Sequence, residues 1–301
     1  MPDAIAHYRI LDRIGATALG EIYRTRDTRV GRSVALTILS DAMVSDAERL
    51  NRVLSAARRA VTLSHPNIAA LFDVGEDGPR WYLASEYVPG DLLSTKICGT
   101  PIDVRRAVDF AIQLADALAE GEARGISHGD IRADTIVISS KDRPKLGHFG
   151  LSEISFREQR PAHGAQNDAS SDRQGALNDI RALGWVMHEM LTGRRLSPAQ
   201  RESAASPATI NAAVPRELDA IVRKAVSADL ATSYQTAATL GAELRALAAI
   251  LDARAAMGRD AVAPPPASSR RIPAATALLG LGVLLGLAAW LWRVACPACH
   301  G

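Results

Sequence analysis

Three groups of residues have the types and spacing to do chemistry. Cys296, Cys299 and His300, in "CPACHG", give the C-x-x-C-H spacing used for covalent haem attachment. His148, inside "KLGHFGLSE", is a candidate ligand for a soft metal such as zinc, but no second His or Cys stands near it at ligand spacing. Lysine, the usual partner of phosphate, occurs only at Lys96, Lys141, Lys145 and Lys224, so no lysine stands anywhere before Lys96. The 35 basic and 33 acidic residues leave a net charge of +2 without long runs of one sign, which disfavours nucleic acid as a partner.

The elements that must position these groups follow from periodicity. Residues 8–90 carry short alternating apolar runs, "SVALTIL" and "RWYLASEYV", around one helical stretch, "AERLNRVLSAARRAVTL", which predicts a small sheet with a helix. Beyond Gly90, four segments repeat apolar residues at i, i+3, i+4 and i+7, among them "VRRAVDFAIQLADALAEGEARG" and "LNDIRALGWVMHEMLTG". That half is expected to be mainly helical. The stretch between Gly150 and Leu177 is too polar to pack and is expected to be a surface segment.

From Ala274 to Trp292 the sequence is uncharged and apolar, and as a helix it would extend about 28 Å, roughly one bilayer core. Arg270 and Arg271 precede it and Trp290 and Trp292 close it, which predicts a membrane helix over 273–293 with the preceding body in the cytoplasm. The amino terminus lacks the features of a cleaved signal peptide. Residues 251–272, with "AVAPPPASSRR", are expected to form a juxtamembrane linker, and 294–301 a short tail outside the membrane. Such a tail is too short to enclose a haem, so a redox-sensitive or incidental role for Cys296, Cys299 and His300 is preferred. Gly282 and Gly286 have the G-x-x-x-G spacing that lets two helices approach, a route to a homodimer.

Several segments in order resemble a protein kinase domain of the bacterial Ser/Thr type: "YRILDRIGATALGEIYRTRDTRVGRSVALTIL", "LSHPNIAALFDVGE", "YLASEYVPG", "GISHGDIRADTIVIS", "KLGHFGLSE" and "NDIRALGWVMHEMLTGRR". The resemblance covers residues 8–250. It implies an α+β, two-lobed fold, with a β-rich lobe over 8–88 and a helical lobe over 89–250, followed by the single membrane helix.

It also implies which residues should meet ATP and magnesium, and here the sequence departs from the pattern. Gly15 and Gly20 keep the outer glycines of the phosphate loop, but Thr17 takes the middle one. Thr37 stands where a lysine would hold the α- and β-phosphates, and Ala56 where its glutamate partner would be. Asp130 keeps the position of the catalytic base, whereas Thr135 and His148 replace the two magnesium ligands. Gly129 and Arg132 replace an arginine and a lysine of the same loop. The glutamate of the activation segment and its partner arginine, at Ser233, are also absent.

Ile22, Ala35, Glu86 to Val88 and Val137 could still sandwich a base, so the pocket leaves open ATP held without metal. Losing both members of an ion pair strands no buried charge, so the lobe can stay folded. The resulting expectation is a pseudokinase at the inner membrane of a bacterium, without a bound cofactor and with Asp130 vestigial. It would present its surface to a protein client, an active kinase or that kinase's substrate. The alternative is a Ser/Thr protein kinase with weak or unconventional ATP-dependent transfer to protein hydroxyls.

Overall fold

Alternation of apolar residues builds the first sheet. The computed structural model describes residues 3–151 and 169–262. Strands β1 (Ala4–Ile5), β2 (Tyr8–Ala16), β3 (Gly20–Asp27), β4 (Ser33–Leu39), β5 (Leu71–Asp77) and β6 (Arg80–Glu86) form an antiparallel sheet in the order β1-β2-β3-β4-β6-β5. In β4, Val34 and Leu36 face Ile5, Tyr8, Tyr82 and Ala84 on one side of this sheet. Leu39 faces the other side, toward α2 (Ala47–Ala60). This is the period-2 pattern expected of a strand buried on both faces. Helix α1 (Asp41–Val44) precedes α2, whose cap Asp46 accepts the Arg49 N–H at 3.0 Å, and α2 buries Val53, Leu54, Ala57 and Ala60.

Residues 87–89 lead to a second, three-stranded sheet, β7 (Gly90–Leu92), β8 (Ile136–Ser139) and β9 (Pro144–Leu146). Around it lie α3 (Leu93–Ile97), α4 (Val104–Ala123), α5 (Ala169–Thr192), α6 (Pro198–Arg201), α7 (Pro207–Ile210), α8 (Arg216–Val226) and α9 (Ala237–Val262). Leu114 and Leu118 of α4, Leu183 and Met187 of α5, Leu218 of α8 and Leu244 of α9 bury a common core that also holds Phe149. The β-rich first lobe and helical second lobe expected from periodicity are both present.

Two expected boundaries need correction. Helix α5 begins at Ala169, inside the stretch assigned to an unpacked surface segment. Its polar first turns find polar partners, Asp172 near Arg59 of α2 at 4.0 Å and Gln174 with Asn178 one turn on at 3.1 Å, so an apolar face is not what starts it. Helix α9 runs to Val262 and so takes in the first part of the expected linker. The chain divides into a compact unit, Met1–Asp252, and a second, Ala253–Gly301. The apolar run 274–292, Gly282, Gly286 and the Cys296 to His300 motif lie outside the described residues. Among the described residues no helix is long and apolar enough to cross a membrane.

Candidate functional site

A buried carboxylate fixes the loop that carries Asp130. Asp179, on α5, accepts the backbone N–H groups of His128 at 2.5 Å and of Gly129 at 2.8 Å. His128 is fully buried; its Nδ1 accepts the Asp130 N–H at 3.2 Å, which leaves Nε2 to donate to the Gly147 carbonyl at 3.0 Å. Burial pushes this imidazole down to about 4, so it is neutral at pH 7. Its ring meets Phe149 edge-on, with centroids 5.2 Å apart.

Asp130 itself points its carboxylate at Arg132, Oδ1 to Nε 2.8 Å. Burial raises its carboxyl above the usual range, and Arg132 offsets only part of this. Thr135 is engaged within the loop: its hydroxyl lies 2.8 Å from the Asp130 carbonyl and 3.0 Å from that of Arg132, and accepts the Arg132 N–H at 3.1 Å. One hydrogen serves two carbonyls there, and a metal would have to compete with the loop's own bonds.

His148 sits in the left-handed region, φ +58°, and its carbonyl accepts the Leu151 N–H at 3.0 Å, closing a tight turn. The imidazole is half-buried, makes no hydrogen bond among the described residues, and is shifted toward the neutral form by burial. Phe149 reaches the core because Gly121 makes room: a Cβ there would meet its ring at 2.5 Å.

The opposite wall is the β2–β3 hairpin. Thr17 and Gly20 exchange backbone bonds of 2.8 and 3.2 Å, and the Thr17 hydroxyl accepts the Leu19 N–H at 3.3 Å. Gly20 is needed for backbone clearance, since a Cβ would meet the Ile38 carbonyl oxygen at 1.8 Å, whereas Gly15 faces open space. Leu19, at the hairpin tip, is buried in one cluster with Leu39, Met43, Val53, Ala57, Leu83 and Leu151, and Ala56 packs against it. Thr37 is 1% exposed and shares a narrow cavity with Leu151 and His148.

Leu19 and Leu151 were not among the residues singled out by sequence. Their one sequence signal is position, an apolar residue between the two glycines and another directly after His-Phe-Gly. Of the residues that were singled out, Ile22, Ala35, Glu86, Val88 and Val137 are half-buried and Glu86 is tied to the second sheet by Lys145, Nζ to Oε2 2.7 Å.

Residues 8–236 match the protein kinase domain family. The chain belongs to that family. It is 31% identical over 260 residues to the serine/threonine-protein kinase PrkC of Bacillus subtilis, a match covering 79% of this chain and 40% of that protein. The serine/threonine-protein kinase PknB of Mycolicibacterium smegmatis is 30% identical over 263 residues, covering 79% and 42%. The chain therefore spans about two-fifths of the length of these relatives. Among solved structures, the Mycobacterium tuberculosis PknI kinase domain superposes with a TM-score of 0.64 at 22% identity, covering 80% of this chain and 96% of that one, a likeness of fold.

A kinase domain implies ATP and magnesium, and the residues at this site do not fit them well. Magnesium prefers oxygen donors in near-octahedral geometry, with carboxylates foremost. Here one position offers a neutral imidazole and the other a hydroxyl already bonded to its own loop. Among the described residues no three His, Cys, Asp or Glu side chains converge. The space between hairpin, Thr37 and His148, where phosphates would lie, is lined by leucine.

Proposed function

We propose that this kinase-family chain is catalytically silent, a pseudokinase that acts in signalling by presenting its folded surface to a protein client, an active kinase or that kinase's substrate. The observation that carries this reading is the apolar closure of the phosphate end, where Leu19 and Leu151 share one buried cluster beside a buried Thr37. Moving a triphosphate against those side chains would strip its hydration with neither lysine nor carboxylate-bound metal in return. The Asp130 loop keeps its backbone frame through Asp179, which suits a scaffold as well as an enzyme.

The same proposal holds the protein at the inner face of a bacterial cytoplasmic membrane through residues 273–293, with Gly282 and Gly286 available to pair two copies. The expected outcome is retention in carbonate-washed membranes, and release by Leu284→Arg with Leu285→Arg, each arginine costing about 3 kcal/mol at the centre of a span. Recovery of the unaltered protein in the soluble fraction would remove the anchor.

A second reading, Ser/Thr protein kinase activity, is favoured by the names of the relatives and by Asp130, which retains a basic partner at 2.8 Å. Phosphate transfer from labelled ATP to protein, with magnesium or manganese, separates the two. The silent reading expects none above the Asp130→Ala background. Transfer that needs metal and disappears in Asp130→Ala establishes the enzyme instead.

A further inference from the structure

Helix α9 has two apolar faces. Leu244, Leu247 and Ala248 belong to the common core, and Leu251 packs against it. Arg105 of α4 donates from Nε and Nη2 to the Asp252 carboxylate at 2.8 and 3.0 Å. Ile250 precedes Asp252 by two residues, about 200° around the helix, so it points away from α4. It is 44% exposed, and Met257, two turns further on, is 65% exposed. With Ala246 and Ala253 these two make an uncharged stripe at spacings of four, three and four residues.

Beside the stripe lies a groove between α8 and α9. The two helices run antiparallel there, since Lys224 near the end of α8 bonds Glu243 in the first half of α9 at 2.6 Å. From this pair an open groove of about 310 Å³ runs toward Glu217 and Ile250. Ala220 and Ala246 keep its walls low, over the buried Ile221 and Leu247. The same face of the chain therefore carries both projecting side chains and a hollow of side-chain size.

We infer that this face binds a second copy of the chain: the α9 helices of two copies lie side by side in the same direction, each setting Ile250 and Met257 against the groove face of the other. A mean spacing of 3.5 residues is the seam of two parallel helices, and a face with both knob and hole closes on itself about a two-fold axis. The chain beyond α9 favours a second copy over another partner. Residues 263–272 separate Val262 from the expected span, a reach of at most about 35 Å. Two copies anchored in one bilayer and paired through Gly282 and Gly286 bring their α9 helices together pointing the same way. This pairing deepens the membrane reading and takes the shared direction of the helices from it.

Sedimentation of the full-length chain in mild detergent tests the pairing. The unaltered chain should be a dimer. Ile250→Glu with Met257→Glu should weaken self-association at least about tenfold, because carboxylates would be buried at the seam, while the unfolding midpoint stays unchanged. Where that double variant unfolds early, Met257→Glu alone, at the more exposed position, carries the test and should weaken the dimer in the same direction. A chain that is monomeric at every concentration leaves the groove to a client protein and overturns the inference. A dimer untouched by the Ile250→Glu and Met257→Glu changes also overturns it; if that dimer is lost in Gly282→Leu with Gly286→Leu, the contact lies in the span and the anchor stands. Recovery of the unaltered chain in the soluble fraction, still dimeric and still broken by Ile250→Glu with Met257→Glu, removes the anchor and leaves the inference standing.

Discussion

His128 is held neutral between the Asp130 N–H and the Gly147 carbonyl, with its ring buried away from solvent. Folded, it resists protonation down to about 4, while in the unfolded chain it titrates near its ordinary 6.5. Between those values the unfolded chain binds more protons, so stability is present above about 6.5 and lost as pH falls toward 4. The loss is on the order of 3 kcal/mol. His148 and His65, both lowered by burial, act in the same direction; Asp130, raised by burial, acts against them near the bottom of the window. Urea midpoints measured across this range should fall with pH and flatten in His128→Phe, whereas an unchanged slope would remove His128 as the cause. Asp179→Ala should cost about 2–3 kcal/mol, because it leaves the buried His128 N–H and the part-buried Gly129 N–H without their acceptor, and a chemical denaturation curve reads it. At this scale the sequence was informative about loss: Thr37, Thr135 and His148 are visible as exchanges against the kinase pattern. It was silent about what fills the space, since nothing in the types of Leu19 or Leu151 says that the hairpin tip and the turn after Gly150 meet.

Among the elements, the strands were legible because "SVALTIL" alternates between two buried faces, and the long helices because their apolar residues recur at 3.6-residue spacing. The start of α5 was not, because its first turns are polar and rest on pairs such as Gln174 with Asn178, which carry no apolar period. Gly121 on α4 shows how closely two elements fit. In Gly121→Ala the new Cβ would press on the Phe149 ring at 2.5 Å and on the Ile126 carbonyl at 2.6 Å, an overpacking expected to cost about 1–3 kcal/mol. Leu19→Ala should destabilise the first lobe by about 2–4 kcal/mol, read as an earlier unfolding midpoint. If Leu19→Ala leaves stability unchanged, the hairpin is not anchored as described.

For the whole molecule, a kinase fold has kept its frame while its phosphate end has become apolar. Asp179 still braces the Asp130 loop, His128 and Phe149 still meet edge-on, and Lys145 still joins the lobes through Glu86. These are contacts of shape, and none requires phosphate or metal. The most direct test is the thermal stability of the full-length chain with ATP, with and without magnesium. A ligand at a hundred times its dissociation constant adds about 2.7 kcal/mol to a folded state that binds it, a rise of about 5–10 °C for a domain of this size. The silent-kinase reading predicts no rise that depends on magnesium; a magnesium-dependent rise of that size would contradict it.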